Sequence, residues 1–211
     1  MSPPVPDRDV IARALSARDP LRLAAGGPRA AVALVLREAA RGGLELLFIR
    51  RAEHERDPWS GQVGFPGGRS EPADATPLAT AVRETHEETG LDLARAAETL
   101  GALDELRALA RGRPVDLVIA PFVFHLLRPA DGSPSREAVS LHWLALEALL
   151  DPASRSVLEY RYEEHTRELP CLRAGGLVIW GLTFRMFENL VSLVLGGAAS
   201  HPPGPPSAPR E

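Results

Sequence analysis

The stretch GGRSEPADATPLATAVRETHEETGL, residues 67–91, decides how this chain is read. Thr76-Pro77 makes a helix start, with threonine as cap and proline at the first helical position, and Gly90 is placed to stop the helix. With Glu84 set at zero on a helical wheel, Glu87 falls near about −60° and Glu88 near about +40°, so the three glutamates share an arc of roughly 100°. Leu78, Ala81, Val82, Thr85 and Thr89 occupy the neighbouring sector, which is the face expected to pack on a sheet. The carboxylates thus flank the buried face and belong near a sheet edge or mouth.

Gathering like charges at i and i+4 is unfavourable by a few tenths of a kcal/mol even in water. Glu87 and Glu88 also stand near the helix C-terminus, where the macrodipole disfavours anions. Divalent cations would reverse the sign of both effects, and all-oxygen donors without clustered Cys or His suit Mg²⁺ or Mn²⁺ better than Zn²⁺. A solvated acidic face remains the alternative on the helix alone. His86-Glu87-Glu88-Thr89-Gly90 lacks the second histidine of a zinc-protease helix. Asp57-Pro58-Trp59-Ser60-Gly61 lacks the second glycine and the strand-to-helix setting of a nucleophile elbow.

Composition narrows the classes. The 211 residues are 45% hydrophobic, which suits one domain with a substantial core. A net charge of −4 argues against non-specific nucleic-acid binding and against an anionic membrane as partner. Cys171 is the sole cysteine, which excludes an intramolecular disulfide and a thiolate zinc site and fits a reducing compartment. The N-terminal MSPPVPDRDV has no basic-then-apolar signal pattern, and the apolar run LVSLVLGGAA is too short to span a bilayer. The expectation is a cytoplasmic protein.

Outward from the helix, AAVALVLRE (30–38) and LELLFIRR (44–51) read as a hairpin, and residues 52–62 as an active-site-type loop. VGFPGG reads as a short strand ending in a glycine pair, and VDLVIAPFVFHLL (115–127) as a long strand. GALDELRALA is of ambiguous type; SLHWLA and LVIWG read as strands, ALEALL and LTFRMFENLVSLVL as helices. Three segments follow: an N-terminal extension (1–20), the main domain (21–195), and a Pro-rich, disordered tail (196–211). The fold class is α/β, a mixed sheet flanked by helices.

Residues 67–91 resemble the Nudix box, through Gly68, Arg83, Glu84, Glu87, Glu88, Gly90 and Leu91. Thr85 stands in an aliphatic slot, and Asp74 stands where the first glutamate belongs, with one extra residue after it. The resemblance implies an α/β/α sandwich and metal-dependent hydrolysis of a nucleoside diphosphate linked to another group. It implies metal ligands at Glu84, Glu87, Glu88 and the Gly68 carbonyl, with Arg83 orienting the carboxylates. Asp74 suits pairing with Arg83 or capping the loop. The general base is left among Glu84, Glu87 and Glu137, the last in a loop able to fold over the site.

The segment LELLFIRRAEHERDPWSGQVGFPGG and the later Ile179-Trp180-Gly181-Leu182-Thr183 resemble coenzyme A pyrophosphatases within that family. Phe48 and Arg51 depart from that pattern, and the 50–61 interval is longer. Arg50 and Arg56 suit phosphate contacts, with Arg51 as a solvent-facing alternate. Trp59 suits either stacking on an adenine or anchoring its loop, whereas Trp143 and Trp180 sit in strand patterns as core. The expected substrate is coenzyme A or an acyl-CoA. ADP-ribose, dinucleotides and dinucleoside polyphosphates are the alternatives, as is a nucleotide-binding module without turnover. Phe187 and Leu190 suit either the core or a homodimer contact.

Overall fold

The computed structural model describes residues 4–24, 26–53, 59–110, 113–162 and 165–196. The apolar run read as a buried strand is β1 (Arg29–Glu38), and it sits at the centre of an eight-stranded mixed sheet. β1 pairs antiparallel with β2 (Leu44–Arg51), as the hairpin reading requires, and parallel with the long β7 (Arg113–Leu126). The glycine-rich segment divides into β3 (Val63–Gly64), which pairs with β2, and β4 (Gly67–Arg69), which pairs with β1. The ambiguous GALDELRALA resolves as strand: it spans the end of β5 (Ala97–Ala102) and β6 (Leu106–Ala110), both antiparallel to β7. β8 (Ala138–Ala145) closes the other side against β2.

Helices cover both faces. α1 (Arg8–Ser16) and α5 (Gly181–Leu195) lie on one side, where Ile11, Leu15, Phe184, Phe187 and Leu190 join Leu34, Leu36 and Phe48 in a single core. Phe187 and Leu190 are therefore core residues, and α1 contributes the buried Ile11 and Leu15 and the partly buried Ala12 to the same core. α2 (Pro77–Thr89) lies on the opposite face, where Ala81 packs with Ala31, Ala33, Val35 and Leu47. The short α3 (Leu93–Ala96) follows α2, and α4 (Leu146–Leu150) follows β8. This is the α/β/α sandwich.

Besides the short α3, a hairpin escaped the sequence reading. β9 (Arg155–Tyr162) and β10 (His165–Ala174) form a hairpin that continues into β11 (Leu177–Trp180) as a separate three-stranded sheet. Much of that hairpin is exposed, so its sequence carries little of the apolar patterning by which buried strands are recognised. Trp180 contributes to it by packing against Tyr160, with ring centroids 4.9 Å apart and the planes tilted by 38°, and Trp143 lies under the Arg37 guanidinium at 4.1 Å; both are partly buried. The Pro-rich tail from residue 197 lies outside the described residues.

Candidate active site

The site is assembled by α2 and the glycine pair it faces. Thr76 Oγ1 accepts a bond from the Ala79 amide at 3.1 Å, and Gly90 closes the helix in the left-handed conformation at φ 70°. Two threonines on the packed face satisfy their hydroxyls within the helix: Thr85 Oγ1 donates to the Ala81 carbonyl at 2.7 Å, and Thr89 Oγ1 to Thr85 at 2.6 Å. A threonine can thus fill the aliphatic slot at 85 without leaving a buried donor unpaired.

Glu88 is more deeply placed than a residue flanking the packed face. Its side chain is 1% exposed, accepts the Gly67 amide at 2.8 Å and lies 3.4 Å from Arg51 Nη1. Burial pushes its carboxyl up to about 7 against the opposing pull of that amide and Arg51; the charges of Glu84 and Glu137 push it further up. Glu84 lies against Gly68 so closely that a Cβ there would fall 2.5 Å from the carboxylate. Burial raises the Glu84 carboxyl too, and Arg83, 3.0 Å away, lowers it again.

Glu87 is turned elsewhere. Its side chain is half exposed and paired with Arg83 at 3.0 Å, and it does not line the cavity described below. The three box glutamates therefore do not converge: among the described residues no three Asp, Glu, His or Cys side chains stand close enough to share an ion. Arg83 is the hub. It bonds Asp74 through Nε at 3.1 Å and Nη2 at 2.9 Å, and also reaches the Arg69 carbonyl at 3.0 Å. Asp74 further accepts the Glu71 amide and the Thr80 hydroxyl, so it both pairs with Arg83 and caps its loop. The Arg83 bond, then the Glu71 amide, hold the Asp74 carboxyl well below the usual carboxylate range.

Beside this cluster opens a cavity of about 670 Å³. Glu84, Glu88 and Glu137 mark its acidic end, while Ala30, Leu117, Ile119, Leu182 and Met186 form an apolar floor on the α5 side of the sheet. Thr183 on α5 bonds the Val63 carbonyl at 3.1 Å and fixes that wall. Glu137 belongs to the loop from β7 to β8, as expected of a segment able to reach the site, and its carbonyl accepts the Ala52 amide at 2.8 Å.

The two arginines of β2 are placed differently. Arg50 is exposed, does not line the cavity, and lies instead near His142, whose pKa is pushed down by burial and by the Arg50 charge. Arg51 lines the cavity. The reason is the two-residue period of β2: Arg51 shares with Leu47 the face toward α2, and Arg50 shares the other with Leu46 and Phe48. Arg56 lies outside the described residues. Trp59 lines the cavity and donates its Nε1–H to the Leu109 carbonyl at 3.1 Å, which ties its loop to β6. Arg69 and Arg136 also line the cavity; the sequence reading did not single them out, because nothing in a lone exposed arginine marks what it faces.

Comparison with known proteins agrees with this architecture. The profile of the NUDIX domain matches residues 27–163. The mitochondrial coenzyme A diphosphatase NUDT8 of Mus musculus is 30% identical over 94% of this chain and 93% of its own length. The Homo sapiens NUDT8 is 31% identical over 81% of this chain and 71% of its own. The Nudix hydrolase NudL of Yersinia pestis (strain Pestoides F) is 30% identical over 71% of this chain and 72% of its own. With its box helix, glycine pair and mixed sheet in place, the chain belongs to the NUDIX family.

Proposed function

We propose that this Nudix pyrophosphatase cleaves the pyrophosphate of coenzyme A or an acyl-CoA, adding water across the P–O–P bridge to give 3′,5′-ADP and 4′-phosphopantetheine, or its S-acyl form from an acyl-CoA. The observation that carries the reading is a single cavity with buried carboxylates at one end and an apolar floor at the other. A substrate with an anionic linkage and apolar arms fits such a site. The relatives named as coenzyme A diphosphatases, one covering 94% of this chain, support the same choice.

The donor set suits Mg²⁺ or Mn²⁺. Glu84 and Glu88 carboxylates and the Gly68 carbonyl are hard oxygen donors, and Mg²⁺ needs few protein ligands because it keeps several waters. In our reading these three hold the ion, with Glu87 available from the same helix. A bound ion there would withdraw charge from the pyrophosphate and lower the pKa of a coordinated water. The protein's own part is positional. Asp74 fixes Arg83, and Arg83 in turn fixes Glu84 and Glu87. Glu137 and Glu84 line the cavity, which supports either as the group that accepts a proton from the attacking water; Glu87, outside the cavity, qualifies by residue type alone. Arg51 offsets the Glu88 charge and faces the anionic linkage. Trp59, fixed through its N–H, offers an aromatic wall against which an adenine could stack.

Among the described residues no helix is long and apolar enough to cross a membrane. The buried Cys171 supports a reducing compartment, cytoplasmic in our reading.

The test is Mg²⁺-dependent turnover of coenzyme A, acetyl-CoA, ADP-ribose, NADH and diadenosine tetraphosphate, with Glu84→Gln as the blank and products weighed by mass spectrometry. Release of 3′,5′-ADP from coenzyme A, absent in the blank, is the expected result. Turnover confined to another member would overturn the coenzyme A assignment while keeping the pyrophosphatase. Nucleotide binding without turnover would favour a binding module.

A further inference from the structure

We propose that Arg69 and Arg136 form a clamp for a phosphate monoester that the substrate carries in addition to its scissile pyrophosphate, and that this clamp sets nucleotide specificity. The inference rests on the reading of the cavity as a pyrophosphatase site and names the feature of the nucleotide it selects.

Two arginines of the site already face carboxylates. Arg83 is bound to Asp74, Glu84 and Glu87, and Arg51 faces Glu88. Arg69 and Arg136 also line the cavity, are exposed, and make no side-chain hydrogen bond or ion pair among the described residues. Two guanidinium groups lining one cavity without counter-ions among the described residues attract an anion, and their planar forks match phosphate oxygens.

Strand register then separates this anion from the scissile one. On β4, Gly68 pairs with Ala31, whose side chain packs toward α2, and Gly68 accordingly faces Glu84. Arg69 pairs with Ala30, and Ala30 pairs in turn with Ile119; both belong to the core on the α5 side. Cross-strand partners point to the same face of a sheet, and successive residues to opposite faces. Arg69 therefore leaves the sheet on the apolar-floor side, opposite the face from which Glu84 and Glu88 reach the cavity. A pyrophosphate at the carboxylate end does not require it. Arg136 reaches the same cavity from the loop between β7 and β8, one residue before Glu137. An apolar floor in a cavity that also carries these two arginines is the surface expected for a nucleoside bearing its own phosphate: the floor takes the base or sugar, and the clamp takes a group of up to two negative charges.

Two measurements on the full-length chain test this. The first compares kcat/KM for coenzyme A and 3′-dephospho-coenzyme A in wild type, Arg69→Ala, Arg136→Ala and Arg69→Lys. The second compares binding of 3′,5′-ADP and 5′-AMP by calorimetry without divalent ions, which needs no turnover. Wild type should favour the member carrying the monoester about tenfold or more in both pairs. Each alanine variant should lose most of that preference through KM, with the member lacking the monoester changed less than about twofold; the lysine variant should retain part. Equal treatment of both members by wild type, or equal losses on both in the variants, would overturn the clamp. Should no coenzyme A compound be hydrolysed, the function reading fails on the first measurement. The binding pair then decides the clamp by itself: an arginine-dependent preference for 3′,5′-ADP upholds it, and none overturns it.

Discussion

Arg83 and Asp74 are joined by two hydrogen bonds, at 3.1 and 2.9 Å, and this pair is the support on which the acidic helix is oriented. Asp74 is 6% exposed and Arg83 23%. Asp74→Asn should therefore leave a largely buried guanidinium with weakened partners and cost roughly 2–4 kcal/mol, somewhat below a fully buried broken pair because Arg83 still touches solvent. Activity should fall with it, since Glu84 and Glu87 lose their anchor. Urea unfolding of Asp74→Asn beside Asp74→Glu checks this; equal stability of wild type and Asp74→Asn would refute it.

The glycine pair separates folding from chemistry. Gly67 has φ 150°, and a Cβ there would meet the Ala31 carbonyl at 2.3 Å, so Gly67→Ala should destabilise the fold by roughly 2–4 kcal/mol. A Cβ at Gly68 meets only the movable end of Glu84, at 2.5 Å. Gly68→Ala should keep its thermal midpoint within a few degrees yet lose about tenfold or more in Mg²⁺-dependent turnover. Thermal melts and kcat measured side by side on both variants read the contrast, and a swapped pattern would contradict it.

Glu88 gives the apo protein a defined pH response. Its folded carboxyl titrates at about 7, against an ordinary value of 4.5, so the folded state holds this proton more tightly than the unfolded one. The contribution is full below about pH 4.5 and is lost as pH rises through about 7, by about 3 kcal/mol. Asp74 works in the opposite sense: its lowered pKa stabilises above the usual carboxylate range and is lost as the solution turns acid. Unfolding of wild type and Glu88→Gln in chelator, from pH 5 to 8.5, isolates the first effect. The two stability curves should diverge with rising pH in favour of the glutamine variant; parallel curves would count against it.

Adjacent arginines on β2 should behave differently. Arg51→Ala removes the cation facing a carboxylate that is 1% exposed, and turnover should fall about tenfold or more. Arg50→Ala alters an exposed group away from the cavity and should change kcat/KM less than about twofold. Steady-state kinetics on the pair decides it; a larger loss at Arg50 would reverse the assignment.

Trp59 should prove a tether whatever else it does. Trp59→Phe keeps an aromatic ring but removes the N–H bond to the Leu109 carbonyl, for about 1 kcal/mol. Proteolysis within residues 52–62 should become faster. An unchanged cleavage rate would show that the bond does not hold the loop.

By itself the sequence determined what depends on neighbours along the chain. Thr76, Pro77 and Gly90 bound the helix they were expected to bound, because caps and stops act within one turn. The apolar runs at 30–38, 44–51 and 115–127 became the central strands, because buried strands declare themselves by composition. Tertiary structure alone decided what depends on partners brought from elsewhere. Arg50 and Arg51 have the same chemistry, and only the pairing of β2 with its neighbours tells which faces Glu88. Glu87 and Glu88 are neighbours in sequence, yet Arg83 draws one outward while the Gly67 amide holds the other inside. The hairpin of β9 and β10 lay unread because its surroundings are largely solvent: β9 alternates only between exposed and partly buried residues, and its covered face, Ser156, Leu158 and Tyr160, is not a uniform apolar stripe. Local hydrogen bonding is written in short sequence, but the direction of a charged side chain is set by the field and the packing of residues far away in the chain.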